Sequence, residues 1–112
     1  MKNLYHYRGM VVSVYDGDTI TVNVDLGFHV LLTKEKFRLS RINAPEVRGK
    51  EKKQGKISRD WLRKKILGKE IMLVTKKDKK GKYGRWLADI WLDDVCINDE
   101  LVKNGLAEYK EY

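Results

Sequence analysis

One cysteine, one proline, two histidines and two phenylalanines are all that these 112 residues hold of those types. With Cys96 alone, neither a disulfide framework nor a cysteine-based zinc site can form within the chain. Cys96 lies in the apolar triplet Val95–Cys96–Ile97, which suits a small buried side chain better than a nucleophile. His6 and His29 stand apart from any partner motif, so zinc chemistry and a Ser-His-Asp relay drop out. No apolar run approaches the ~20 residues of a membrane span. The N-terminal MKNLYHYRGM also lacks the apolar stretch of a secretory signal. The expectation is a cytoplasmic protein, or the mature part of an exported one, with no membrane partner. Its length fits one domain, 1–112, expected as a monomer.

Acid is in short supply too. Lys and Arg number 24 against 16 Asp and Glu, a net charge of +8. Segments 48–56 (RGKEKKQGK) and 76–82 (KKDKKGK) each carry five basic residues and one acidic one, so they hold the whole excess. Two basic loops on a neutral body point to a polyanion such as nucleic acid, or simply to solubility. On the first reading Lys50, Lys52, Lys53, Lys79 and Lys80 contact a phosphate backbone.

What is present in quantity is short strands. GMVVSVY (9–15) and TITVNV (19–24) flank Asp16-Gly17-Asp18, predicting a hairpin. A third strand is expected from Phe28 to Ile42, bent near Lys34–Lys36 and ended by Pro45. Segment 56–67 changes to a helical period, with Ile57, Trp61, Leu62 and Ile66 on one face and Gly68 as cap. Strands at 70–75 and 85–92 follow, then Val95–Ile97 and a short helix capped by Asn98 and closed by Gly105. Three strands, a helix, two strands and a helix is the element order of a mainly β (α+β) fold. A five-stranded OB-type Greek-key barrel with two or three short helices would remove the exposed edges.

Three short motifs carry polar chemistry. In YDGDT, Asp16 and Asp18 make either a plain hairpin turn or an oxygen site for a hard cation. In FRLSRINAPE, alternation puts Arg38 opposite Phe37 and Leu39, while Asn43, Ala44 and Glu46 offer an amide oxygen, a carbonyl and a carboxylate. In KYGR, Arg85 is a permanently charged fork suited to phosphate oxygens. Each motif alone has a bland reading: a turn, a surface ion pair, a basic hairpin.

Their order, DGDT then FRLxxxNAPE then KYGR, resembles the staphylococcal nuclease (thermonuclease) family from about Val11 to Ala107, including the closing LVKNGLA. The resemblance implies an OB-type barrel that cleaves DNA and RNA phosphodiesters with calcium. It implies that Asp18 ligates the cation directly, Asp16 acts through water, and Asn43 and the Ala44 carbonyl complete the set. Glu46 then positions or deprotonates the attacking water, and Arg38 and Arg85 bind the phosphate. Lys82 and Tyr83 flank the substrate phosphates, and Tyr109 and Tyr112 are the candidates for the tyrosines that pack on a substrate base. This sequence departs from the family pattern where Asn43 replaces an aspartate, which removes one negative charge from the metal shell. The alternative is a non-catalytic OB-type module that binds nucleic acid through the basic segments. A third is a protein-interaction domain.

Overall fold

A computed structural model of the chain describes residues 5–80 and 85–110. Strands β1 (His6–Asp16), β2 (Thr19–Asp25) and β3 (Leu31–Leu39) form an antiparallel meander. β4 (Ile42–Asn43) is a two-residue piece beyond it, and helix α1 (Lys52–Ile66) follows a 3-10 turn at Gly49–Glu51. β5 (Glu70–Lys80) pairs antiparallel with β1, and β6 (Trp86–Leu92) pairs antiparallel with β5. β6 then meets β3 in parallel, through Phe37↔Trp86, Arg38↔Leu87 and Leu39↔Ala88. That last ladder closes five strands into the expected OB-type barrel. β7 (Val95–Cys96), helix α2 (Ile97–Lys103) and β8 (Glu108–Tyr109) complete the described chain, with β8 paired to β4.

Inward-facing residues fill the barrel: Val11, Val14, Ile20, Val22, Phe37, Leu39, Leu73 and Ile90 are buried. Leu62 and Ile66 of α1 and Ile97 and Leu101 of α2 plug it from outside the sheet, each at most 2% exposed. Cys96 is buried as expected, with its Sγ accepting from Arg41 Nη2 at 3.6 Å.

Several boundaries differ from expectation for physical reasons. The third strand occupies only Leu31–Leu39, not Phe28–Ile42. Its start is taken by a turn in which Gly27, Phe28 and His29 all have positive φ, and Arg41 (φ 67°) breaks its end. The expected bend is present at Lys34 (φ 55°), whose N–H donates to Asn23 Oδ1 at 2.9 Å. Helix α1 begins at Lys52 instead of 56, so the first basic segment is largely helical rather than a loop. The buried face of α1 is Gly55, Ser58, Leu62 and Ile66, whereas Ile57 is 47% exposed. The second basic segment continues strand β5 as far as Lys80. Asn98 is no cap: α2 starts one residue earlier, and the fully buried Asn98 amide bonds Ile90 N–H, Ser40 O and Ala88 O. Gly68 (φ 76°) ends α1 as expected.

Candidate functional site

The β1–β2 turn is built around a close approach. Asp18 N–H donates to Asp16 Oδ1 at 3.1 Å, fixing the turn with a side chain. Gly17 has no room for a side chain, because a Cβ there would lie 2.8 Å from Ala44 Cβ and 2.9 Å from Ser58 Cβ. The acidic turn is thereby pressed against the Asn43–Ala44 segment and against α1.

Asp18, 5% exposed, ties the group together. Its Oδ2 accepts from Ala44 N–H at 2.7 Å and lies 3.2 Å from Arg38 Nη1, and its Oδ1 accepts from the Thr19 hydroxyl at 3.3 Å. Arg38 pairs with Thr19 across the β2–β3 ladder, which sets it beside the turn. It also donates to Leu39 O (3.0 Å), Ile42 O (3.1 Å) and Asn43 Oδ1 (3.2 Å). Arg85 Nη1 joins from the start of β6 by donating to Thr19 Oγ1 at 3.1 Å. Arg85, Thr19, Asp18, Arg38 and Asn43 thus form one hydrogen-bonded chain.

Burial pushes the Asp18 carboxyl well above its ordinary value, and neighbouring Asp16 adds to this, outweighing the pull of Arg38 and of Ala44 N–H. Two adjacent buried carboxylates are the setting that a hard cation relieves, and oxygen is the only donor type in the cluster. Asn43 Oδ1 joins the group through Arg38, and Ala44 joins it through its N–H. Among the described residues, no three His, Cys, Asp or Glu side chains gather into a metal-holding group. A cation here would therefore need oxygen donors besides these carboxylates.

Glu46 lies two residues beyond Ala44, with an exposed side chain and a backbone N–H 3.4 Å from Glu51 Oε1. Its carbonyl rests on Gly55 of α1, where any Cβ would collide with Glu46 O and approach Val47 N to 2.8 Å. Lys50, Lys52 and Lys53 are exposed along the 3-10 turn and the first turn of α1. Lys79 and Lys80 end β5. Lys82, Tyr83 and Tyr112 lie outside the described residues. Tyr109 is 58% exposed, and its hydroxyl donates to Asp99 Oδ1 at 2.9 Å.

Three supports of this site carry no local signal in the sequence. Thr19, inside DGDT, bridges Asp18 and Arg85 through its hydroxyl. Gly55 lies in the basic segment expected as a loop and packs against Glu46 O. Arg41 follows Ser40 in the turn between β3 and β4 and reaches Asp89 (3.1 Å) and Asp99 (3.1 Å). Its backbone carbonyl accepts from Lys110 N–H at 2.8 Å, so it pins β4 and β8 to the barrel. No spacing rule announces such long-range partners.

A closed five-stranded barrel carrying an acidic turn and two arginines is an OB-type domain of the nuclease-like class. The model of the staphylococcal nuclease homologue family matches residues 36–112, and the chain belongs to that family. It is 35% identical over 106 residues to a thermonuclease of Staphylococcus intermedius, covering 92% of this chain and 60% of that protein. To a thermonuclease of Staphylococcus hyicus it is 33% identical over 115 residues, covering 100% of this chain and 64% of that one. An uncharacterized endonuclease of Haemophilus influenzae is 36% identical over 107 residues, 91% of this chain and 52% of that protein. The chain therefore spans less than two thirds of the length of these relatives.

Proposed function

We propose that this protein is a metal-dependent phosphodiesterase that hydrolyses DNA, RNA or both. The observation that carries the reading is the single hydrogen-bonded group linking Arg85, Thr19, Asp18, Arg38 and Asn43. A binding domain has no need to bury paired carboxylates beside two phosphate-suited arginines. Arg38 and Arg85 donate to the non-bridging phosphate oxygens, where charge grows in the transition state. Glu46 accepts a proton from water as the water oxygen bonds to phosphorus and the P–O bond opposite breaks. The proton finally returns to the leaving oxygen. General-base help of this kind contributes ~10²–10⁴ in rate. One calcium ion held by Asp18, Asn43 and the Ala44 carbonyl, with Asp16 acting through water, would supply Lewis acidity and orientation. Lys82, Tyr83 and Tyr109 are assigned to substrate phosphates and base, and the lysines at 50, 52, 53, 79 and 80 to the flanking backbone.

The test is incubation with single-stranded DNA and RNA in calcium and in chelator. Calcium-dependent release of short products is expected. Intact nucleic acid at every calcium level, with binding retained, would replace this reading by the non-catalytic module. Asn43 favours that second reading, because it leaves the acidic turn one carboxylate poorer than the family pattern.

A further inference from the structure

The outer face of the β2–β3 hairpin is unlike the rest of the barrel. Val22 and Val24 turn inward, and the pairs alternating with them, Thr19↔Arg38, Thr21↔Lys36 and Asp25↔Leu31, lie on the other side of the sheet, the first pair buried and Lys36, Asp25 and Leu31 exposed. The exposed Lys34 bulge sits between the last two pairs, opposite Asn23. Glu35 belongs to the other side, where it pairs with buried Val22 and accepts from Trp86 Nε1 at 2.9 Å. Asp25 is occupied by Gly27 N–H at 2.8 Å. The face thus begins at the buried Arg38 beside the acidic turn and presents Lys36 and Lys34 to solvent beyond it.

It ends in an apolar tip. Leu26, Val30 and Leu31 are 42%, 51% and 61% exposed, and Phe28 is 96% exposed. The tip is braced: Leu26 N–H donates to Val30 O at 2.9 Å, and Val30 N–H to Gly27 O at 2.8 Å. Phe28 sits at φ 53°, a conformation costly for a bulky residue. A strained backbone that displays a whole ring to water serves neither folding nor solubility.

We propose that this face is a track for a single strand of nucleic acid, running from the Arg38–Asp18 group to the hairpin tip, where Phe28 stacks on a base. Its starting point rests on the nuclease reading. Thr19 to Asp25 spans ~20 Å of strand, long enough for more than one nucleotide. Lysines match phosphates, an exposed ring matches a base, and this pairing is how sequence-tolerant single-strand binders work. The outer face of strands two and three is also where OB-type barrels take oligonucleotides. Continuity with the two arginines favours nucleic acid over a lipid surface or a second copy of the chain.

The test uses fluorescent oligothymidylate in chelator, so that binding is read without cleavage. A dinucleotide is compared with a strand of ~12 nucleotides, inside the usual ~4–16-nucleotide site size. Wild-type protein should bind the longer strand more tightly. Phe28→Asn, which keeps a residue tolerant of the left-handed turn, should weaken the longer strand ~5- to 150-fold and narrow the gap between lengths. Lys36→Ala should reduce the salt slope by ~0.7. Unchanged affinity and slope in both variants overturn the track. So does Phe28-dependent binding to anionic vesicles, or Phe28-dependent self-association, with oligonucleotide affinity untouched. Length-dependent binding without cleavage by the wild type would sink the nuclease reading and leave the track standing.

Discussion

Burying a guanidinium costs desolvation that Arg38 recovers through Asp18, two backbone carbonyls and the Asn43 amide. Arg38→Ala strands Asp18 beside Asp16 without that charge. Breaking a buried pair costs about 3–5 kcal/mol, and loss of a preorganised donor costs ~10²–10³ in rate. Arg38→Lys restores charge without the fork, so melting temperature should recover further than turnover. Full activity in the lysine variant would remove Arg38 from the phosphate. Asn43→Asp adds a carboxylate near Asp18. Less calcium should then be needed for half-maximal cleavage, and the variant should be the less stable protein until calcium is added. Identical calcium titrations of stability and cleavage in parent and variant would take Asn43 out of the metal shell. At this scale the sequence was readable where residues stood in short motifs: Asp18, Arg38 and Asn43 meet as those motifs suggest. Thr19 and Arg41 were not readable, because their partners lie 48 to 66 residues away and leave no local pattern.

Among the elements, α1 and the β4–β8 ribbon govern where the loop carrying Glu46 sits. Glycine in a helix interior ordinarily costs about 1 kcal/mol relative to alanine, so Gly55→Ala would gain stability in an open helix. Here the new methyl meets Glu46 O, and overpacking of about 1–3 kcal/mol outweighs the gain. Lower stability together with lower turnover is expected, measured by melting and by cleavage of one oligonucleotide. A variant more stable and fully active would show that α1 does not set the loop. The ribbon has its own pH signature. Burial raises the Asp99 carboxyl, but hydrogen bonds from Arg41 and Tyr109 outweigh it and hold the group below its ordinary 3.8. Its contribution is present above 3.8 and fades as pH falls through the lower folded value. Asp99→Asn should therefore flatten the acid side of the stability profile below 3.8 and change little near neutrality. An acid limb identical to the parent's would make the clamp incidental. The helix start escaped sequence reading because Lys52, Lys53 and Gln54 carry no apolar period. The strand break at Arg41 escaped because a left-handed arginine is held by distant aspartates.

For the molecule as a whole, the five barrel strands and their order were legible from alternation and turns, whereas the two-residue β4 and β8 were too short to show a period. Closure was not, because the parallel β3–β6 ladder pairs residues 49 apart and alternation never names a partner. Closure matters to the proposed function: it carries Arg85, just before β6, to the Thr19 hydroxyl beside Arg38. The central claim is that this assembled group, together with Glu46, turns binding into hydrolysis. It is tested most directly by measuring affinity and single-turnover cleavage on one labelled oligonucleotide, in calcium, for the parent and Glu46→Gln. The account predicts nearly unchanged affinity with cleavage slower by ~10²–10⁴. Equal losses of affinity and rate, or a Glu46→Gln protein as fast as the parent, would contradict it.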